Sequence, residues 1–230
     1  MSTILSNRVQ KIKPSATLAV GERAKQLKAQ GAKIVSMGSG EPDFDTPVNI
    51  KNAAIQAINA GETRYTAVDG TPQLKNAICE KFKRENDLDY SVNEVMASSG
   101  GKQVFYNLCQ AILSKGDEVI IPAPYWVSYP DIVILADATP VFIETGLEQE
   151  FKITAEQLES SINANTKLFV LNSPSNPTGA VYTKSEIESL GAVLERHPHV
   201  NVISDDIYEH IRWEDDEFVN IAMVCPKLKD

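Results

Sequence analysis

Four short polar stretches each follow an apolar run, and each carries residue types that could bind or polarise a small ligand. In chain order they are SSGGK at residues 98–102, PAPYW at 122–126, NSPSNPTG at 172–179 and SDDIY at 204–208. Each apolar run has the length and composition of a buried strand, and the carboxyl ends of parallel strands share one edge of a sheet. We therefore expect these stretches to lie at neighbouring strand ends and to act on one ligand.

The first stretch has the composition of a phosphate-binding turn. Its paired glycines, Gly100 and Gly101, let backbone N–H groups converge, and a helix that begins there adds a partial positive charge. Lys102 adds a full charge. An ordinary glycine turn with a solvated lysine is an equally good interpretation of this stretch alone. The residue spacing of a P-loop is absent.

The third stretch is a stiff loop. Pro174 and Pro177 exclude both a helix and strand pairing, and they push the residues before them out of helical geometry. The loop therefore holds two amide side chains, Asn172 and Asn176, at the end of a strand, where α/β proteins bind ligands. We expect Asn176 to contact the ligand and Asn172 to set its position.

The second and fourth stretches supply an aromatic ring and an acid. Two prolines fix the approach of Trp126, whose ring could stack on a planar ligand, although a single tryptophan is more often a core residue. Asp205 follows directly after a buried strand, where a carboxylate needs a cationic or hydrogen-bonding partner. A protonated heterocycle, a metal ion or a helix cap would serve, and Asp205 alone is more typical of a structural acid.

Together the four stretches favour a flat phosphorylated cofactor. A phosphate cradle, an indole, a rigid amide loop and a buried acid match the parts of pyridoxal 5'-phosphate: its phosphate, its aromatic face, its phenolic oxygen and its pyridine nitrogen. The acid would keep that nitrogen protonated, so that the ring can absorb electrons when a substrate loses its α-proton. The sequence predicts no metal site.

The composition is that of an ordinary globular protein. The 230 residues are 43% hydrophobic and 23% charged, and the formal charge of −9 argues against nucleic acid or an anionic membrane as a partner. Cys79, Cys109 and Cys225 are far apart, so we expect neither a disulfide framework nor a zinc site. A reducing cytoplasm is the simplest location, because no apolar run reaches the length of a membrane span and the first residues lack the pattern of a signal peptide.

The elements that must position these residues alternate along the chain. The pattern predicts strands at residues 33–37, 94–98, 117–122, 141–144, 167–171 and 200–204. It predicts helices at residues 15–30, 48–60, 71–86, 101–113, 126–135, 155–163 and 184–196. Such alternation implies an α/β fold, with a mostly parallel sheet that helices cover on both faces. Gly31 is the expected C-cap of the first helix, and Thr154 with Gln157 and Thr183 with Glu186 predict capping boxes at the last two.

With these residues assembled, the chain resembles the class I pyridoxal-phosphate-dependent aminotransferases of fold type I, and among them the bacterial aspartate/prephenate aminotransferases. The resemblance runs through nearly all of the chain. Its motifs are KPS at residues 13–15, GEPDF at 40–44, RY at 64–65, SGGK at 99–102, PYWVSY at 124–129, NSPSNPTG at 172–179 and SDDIY at 204–208. Any one of them could arise by chance, whereas all of them in this order are very specific.

The resemblance implies a role for each motif residue. The implied cofactor contacts are the backbones of Gly101 and Lys102 and the side chain of Tyr65 at the phosphate, Trp126 on the pyridine ring, Asn176 and Tyr208 at the phenolic oxygen, and Asp205 at the ring nitrogen; Gly100 is a further cofactor-binding residue. Asp205 and Tyr208 are the implied catalytic residues. The implied substrate contacts are Gly40, Trp126 and Asn176 at the α-carboxylate, with Lys13 and Lys102 as candidates for the distal acid.

The resemblance also implies substrates and partners. The reaction would move the amino group of aspartate to 2-oxoglutarate, giving oxaloacetate and glutamate, and prephenate would be a further acceptor of amino groups from glutamate. Tyr65 would reach the phosphate of the neighbouring subunit, which implies a homodimer with shared sites. Asp206 stands where the family usually has glutamate, and this departure affects none of the central roles.

One part of the family pattern is missing. The resemblance implies that residues 1–45 form an N-terminal arm and a small-domain segment, and that residues 46–230 form the large cofactor-binding domain. Family members form a Schiff base through a lysine in a Ser-x-x-Lys motif beyond the fourth site strand, and no such motif occurs before Asp230. We therefore expect an N-terminal portion that is inactive alone. Another enzyme of this cofactor, such as a C–S lyase, and a non-catalytic cofactor-binding fragment are the alternatives.

Overall fold

The structure, a computed structural model, describes residues 4–14, 16–38, 40–213 and 217–229. Its helices are α1 (Asn7–Gln10), α2 (Ala16–Ala29), α3 (Val48–Asn59), α4 (Pro72–Asn86), α5 (Gly101–Ile112), α6 (Ser128–Leu135), α7 (Ala155–Ser161), α8 (Lys184–Leu194) and α9 (Ile221–Val224). Its strands are β1 (Glu118–Ala123), β2 (Thr139–Glu144), β3 (Thr166–Asn172) and β4 (Asn201–Asp205). Short 3-10 helices cover Val92–Glu94, Leu147–Gln149 and Pro226–Leu228. From α5 onward strands and helices alternate, as the sequence predicts.

The strands form one parallel sheet in the order β2-β1-β3-β4. In this register Val119 of β1 lies beside Leu168 of β3. At the carboxyl edge, Asn172 of β3 lies beside Asp205 of β4. The predicted α/β fold is therefore confirmed, and the third and fourth polar stretches are neighbours in the sheet.

Helices cover both faces of the sheet. On one face, Phe169 of β3 belongs to a buried cluster with Leu190 of α8. On the other face, Val170 of β3 belongs to a second buried cluster with Phe105 of α5 and Val133 of α6. Adjacent residues of one strand thus enter opposite cores, because successive side chains of a strand point to opposite faces. Each such burial stabilises the fold by about 1.5–3 kcal/mol, which explains why these strands are continuous apolar runs.

The capping boxes predicted at the starts of α7 and α8 and the glycine predicted at the end of α2 are confirmed. Thr154 accepts a hydrogen bond from the Gln157 N–H at 3.3 Å, and the Gln157 side chain accepts one from the Thr154 N–H at 2.9 Å. Thr183 and Glu186 form the same capping box at α8. Gly31, at φ +87°, follows α2 in the left-handed conformation that favours glycine. These local signals set where α7 and α8 begin and where α2 ends.

Two of the predicted strands are wrong. Residues 33–37 are neither strand nor helix, and of residues 94–98 the first ends a 3-10 helix and the others do not join the sheet. A strand persists where another strand shares its hydrogen bonds, and within the described ranges no strand pairs with either segment. Their apolar side chains stay exposed accordingly, with Val35 at 85% and Met96 at 58%.

The chain divides into two compact units. One comprises Met1–Ile12 and Pro72–Asp230 and contains the sheet, and the other comprises Lys13–Thr71. The predicted boundary between residues 45 and 46 stays a prediction. None of the helices among the described residues has both the length and the apolar character that a membrane crossing requires.

Candidate active site

The carboxyl ends of β1, β3 and β4 open into a pocket of about 210 Å³. Most of the predicted cofactor and substrate residues of the first unit line it: Gly101, Lys102, Trp126, Asn176, Asp205 and Tyr208. Tyr129, Asn172 and Ile207 complete its wall. The fold therefore gathers all four polar stretches at one site, even though the first of them follows a segment that is not a strand.

The first residues of α5 form an anion-binding turn. Gly100 precedes the helix at φ +86°, a conformation that side chains other than glycine rarely adopt. A Cβ built on Gly100 or on Gly101 would meet no atom within 4 Å, so the space in front of the turn is open. Among the described residues, none accepts a hydrogen bond from the N–H of Gly101 or Lys102. These two donors and the positive end of α5 can therefore bind an anion.

Trp126 forms one wall of the pocket. Its half-buried ring meets the ring of Tyr129 edge to face, with centroids 5.2 Å apart. The ammonium group of Lys102 lies 5.2 Å from the centroid of the indole. The indole therefore carries a cation at one face and is held at its edge by a buried aromatic side chain.

The third stretch is braced by Asn172. Its Oδ1 accepts a hydrogen bond from the Asn176 N–H at 2.8 Å, and its Nδ2 donates to the carbonyl oxygen of Pro174 at 3.2 Å. The Ser173 hydroxyl accepts from the Tyr182 N–H at 3.1 Å, which ties the start of the loop to the chain that leaves it. Asn172 thus fixes the backbone of Asn176, as the sequence predicts.

Asp205 is held at three of its atoms. Its Oδ2 accepts a hydrogen bond from the Tyr129 hydroxyl at 2.5 Å, and its Oδ1 accepts one from the Ile207 N–H at 3.3 Å. Its backbone carbonyl accepts the Asn172 side-chain amide at 2.8 Å. Burial, with the nearby Asp205 charge, raises the pKa of the Tyr129 hydroxyl, which therefore stays protonated and donates.

Two other polar groups of the pocket keep free hydrogen-bonding capacity. The side-chain amide of Asn176 and the hydroxyl of Tyr208 make no hydrogen bond to any other residue that the structure describes. Both are only half-buried, so neither is an orphaned core group. Together they can donate to one oxygen of a ligand in the pocket.

Comparison with known proteins identifies the family. The sequence profile described as "Aminotransferase class I and II" matches residues 32–230. The chain belongs to the class I and II aminotransferases. The aspartate/prephenate aminotransferase of Nitrosomonas europaea is 59% identical over 225 residues, which are 98% of this chain and 57% of that protein. The probable aspartate/prephenate aminotransferase of Rickettsia felis is 57% identical over 228 residues, which are 99% of this chain and 56% of that protein.

Solved aminotransferases share the fold. The aspartate aminotransferase of Rhizobium meliloti superimposes with a TM-score of 0.96 at 47% identity, over 100% of this chain and 57% of that one. The Thermus thermophilus aspartate aminotransferase with maleate superimposes with a TM-score of 0.93 at 45% identity, over 98% of this chain and 58% of that one. The chain therefore has an aminotransferase fold and spans a little over half the length of these relatives.

Three residues that the aminotransferase resemblance assigns to the site belong to the other compact unit. Lys13, Gly40 and Tyr65 lie within Lys13–Thr71, and all three are exposed. Their assignments stay predictions.

Asp206, which departs from the usual family residue, is bonded away from the pocket lining. It accepts hydrogen bonds from the Ser204 hydroxyl at 2.6 Å and from the Asn220 side-chain amide at 2.8 Å. Asn220 in turn caps α9 by accepting the Met223 N–H at 3.0 Å. Burial raises the pKa of the Asp206 carboxyl, and its two donors oppose that shift. Asp206 therefore joins the end of β4 to α9.

Tyr129 is the site residue that sequence reasoning missed. It belongs to the PYWVSY motif, but a tyrosine among apolar residues on a helix is typical of a core position and indicates no role in binding. The available signal was its spacing, three residues after Trp126, which places both rings on neighbouring positions of one turn.

Proposed function

We propose that this chain carries the cofactor-binding part of a pyridoxal-phosphate-dependent aminotransferase that acts on aspartate and 2-oxoglutarate. The products are oxaloacetate and glutamate, and prephenate serves as a further amino acceptor with glutamate as donor. The printed names of the relatives from Nitrosomonas europaea and Rickettsia felis support this substrate class. The protein is a cytoplasmic homodimer in this proposal, with Tyr65 contributing to the neighbouring subunit's site.

One observation carries the proposal: the pocket has an anion-binding end, a donor pair and a carboxylate. Gly101 and Lys102 offer N–H groups at the start of α5, and Asn176 and Tyr208 offer side-chain donors, for which the described residues provide no acceptor. Asp205 supplies a negative charge in the same pocket. Pyridoxal phosphate presents the matching groups, namely a phosphate, a phenolic oxygen and a basic ring nitrogen. The residues that are present therefore fit this cofactor.

The residues then have separate tasks. Gly101 and Lys102 would hold the phosphate, Asn176 and Tyr208 would donate to the phenolic oxygen, and Trp126 would stack on the ring. The bound cofactor supplies an electron sink for the electrons left when an amino acid loses its α-proton. Asp205 holds a proton at the ring nitrogen, which maintains that electron-withdrawing character.

The substrate end of the site is proposed from the same resemblance. Lys13 and Lys102 are the candidate cations for the distal carboxylate of aspartate, glutamate or prephenate, and Gly40, Trp126 and Asn176 border the α-carboxylate. The lysine that exchanges with the substrate amino group lies outside these 230 residues in this proposal. The chain by itself is therefore expected to be inactive.

A fusion experiment tests this function. The chain is joined to the part of the Nitrosomonas europaea relative that it does not cover, and amino transfer from aspartate to 2-oxoglutarate is measured with added cofactor. We expect transfer by the fusion, none by the chain alone, and none by the fusion that carries Asp205→Ala. Amino transfer by the chain alone, or thiol release from a thioether amino acid without transfer from aspartate, would overturn the proposal.

A further inference from the structure

Tyr129 lies at the centre of an aromatic cluster beneath the pocket. Its side chain is only 2% exposed. Its ring is 4.9 Å from that of Phe105 on α5 and 5.2 Å from that of Trp126. The Tyr129 ring therefore cannot change its position without displacing the rings of two neighbours. The packing of α5 and α6 sets the position of its hydroxyl.

The hydroxyl of Tyr129 is directed at one acceptor. It donates to Oδ2 of Asp205 at 2.5 Å, and it bonds to no other residue that the structure describes. An ionised carboxylate accepts hydrogen bonds only, so the phenol must be the donor. A hydrogen bond from a hydroxyl to a carboxylate oxygen is about twice as strong as one between neutral groups.

This partner fixes the carboxylate without neutralising it. Within the described ranges, no lysine, arginine or histidine forms an ion pair with Asp205. An arginine or lysine at the same place would compete with a cationic ligand for the negative charge, whereas a phenol is neutral. From the described residues, the other oxygen, Oδ1, accepts only the longer bond from Ile207 N–H at 3.3 Å, and it keeps capacity for a second donor.

We propose that Tyr129 is a positioning residue that holds Asp205 through Oδ2 and leaves Oδ1 to pair with a protonated heterocyclic nitrogen. This inference rests on the proposed function for the identity of the ligand. The geometry that carries it is a property of the chain alone. Tyr129 acts through Asp205 and touches no reacting atom.

Tyr129→Phe tests the inference, since it removes the hydroxyl and keeps the ring. The matched control is Tyr125→Phe in the same motif, because the Tyr125 ring stacks on Phe142 at 4.9 Å and its hydroxyl meets no hydrogen-bonding partner among the described residues. In the chain without cofactor, the carboxyl ¹³C signal of Asp205 is followed against pH. We expect its titration to move in Tyr129→Phe and to stay at the wild-type position in Tyr125→Phe. Unchanged titration in Tyr129→Phe would overturn the inference.

Binding of pyridoxal 5'-phosphate provides the second readout. We expect Tyr129→Phe to weaken binding roughly tenfold and to shift the pH profile of the bound cofactor's absorbance, with no change in Tyr125→Phe. In an Asp205→Asn background the additional effect of Tyr129→Phe should vanish, and an undiminished effect there would contradict action through Asp205. Failure of the wild-type chain to bind the cofactor would count against the proposed function alone, because the carboxyl titration decides the role of Tyr129 independently.

Loss of fold in Tyr129→Phe is checked by circular dichroism. In that case 3-fluorotyrosine at position 129 replaces phenylalanine, since it keeps the ring and makes the hydroxyl more acidic. A shift in the Asp205 titration would support the inference, and an unshifted titration would overturn it.

Discussion

Asn172 donates its side-chain amide to the backbone carbonyl of Asp205 at 2.8 Å. The two residues face each other across the β3–β4 ladder, at the last register position of both strands. The other end of the same amide accepts the Asn176 N–H at 2.8 Å. A single side chain therefore sets the spacing between the loop that carries Asn176 and the strand end that carries Asp205.

Asn172→Ala should damage both the fold and the site. It leaves a carbonyl of Asp205 and an N–H of Asn176 without their partner, and we expect the free energy of unfolding to fall by about 1–3 kcal/mol. Urea unfolding measures this change. The control is Asn201→Ala at the exposed start of β4, where the amide donates to the Lys167 carbonyl at 3.1 Å, and there we expect a loss below about 0.5 kcal/mol. Equal losses in the two variants would contradict a bracing role for Asn172.

Two helical glycines should respond in opposite ways to alanine. A Cβ on Gly191 of α8 would overlap the sulfur of buried Cys225, so Gly191→Ala should destabilise the chain by about 1–3 kcal/mol. A Cβ on Gly21 of α2 would meet no atom within 4 Å, so Gly21→Ala should stabilise α2 by about 0.5–1 kcal/mol. Thermal unfolding of both variants measures these changes. An unchanged Tm in Gly191→Ala would show that α8 and Cys225 are less tightly packed than in the structure.

The contribution of Lys102 to binding the phosphate can be measured separately from the binding of the cofactor ring. Lys102→Gln should weaken binding of pyridoxal 5'-phosphate roughly tenfold, or about 1.4 kcal/mol, because it keeps the backbone N–H but removes a full positive charge beside the anion-binding turn. Binding of pyridoxal, which lacks the phosphate, should change little. The control is the exposed Lys115→Gln, which should alter neither affinity. An equal loss for the two ligands would place Lys102 at the ring and not at the phosphate.

The stability of the chain should depend on pH through Glu159. The Glu159 carboxylate forms an ion pair with Arg196 and a 2.8 Å hydrogen bond with His197 Nε2. The hydrogen bond with His197 lowers the pKa of the Glu159 carboxyl most, and the interaction with Arg196 lowers it further. A lowered folded-state pKa contributes stability above the ordinary glutamate pKa of about 4.3, and this contribution is lost as the pH falls through the lower, folded-state pKa. The Tm of wild type should therefore exceed that of Glu159→Gln at pH 5 and above, and the gap should close on acidification. A gap that persists at the lowest pH would contradict this linkage, and the exposed Glu148→Gln should show no gap.

Much of the fold could be predicted because its signals are local. The capping boxes at Thr154 and Thr183 and the turn at Gly31 depend on residues within three or four positions. β1 and β3 are mostly buried and consist of continuous apolar runs, which explains their correct prediction. Residues 94–98 have a similar composition, but a strand also needs a partner, and composition does not supply one.

The site was predictable to the extent that its residues follow strands. Asp205 is the last residue of β4, and Trp126 and Asn176 lie in the loops that follow β1 and β3, so their convergence follows from parallel pairing. The contact of Tyr129 with Asp205 joins residues 76 positions apart, and it depends on how α6 packs against the sheet. No periodicity in the sequence reports a contact of that kind, which is why the ring of Tyr129 was predictable as core and its hydroxyl was not.

The central claim is that Asp205 makes this pocket a site for a cationic heterocycle with a phosphate. The most direct measurement is a titration of the 230-residue chain with pyridoxal 5'-phosphate, followed by the absorbance of the bound cofactor and the fluorescence of Trp126. We predict saturable binding by wild type and by Glu144→Ala, an exposed acid at the end of β2, and a loss of roughly a hundredfold or more in Asp205→Ala. Binding by a folded Asp205→Ala variant with wild-type affinity would contradict the account.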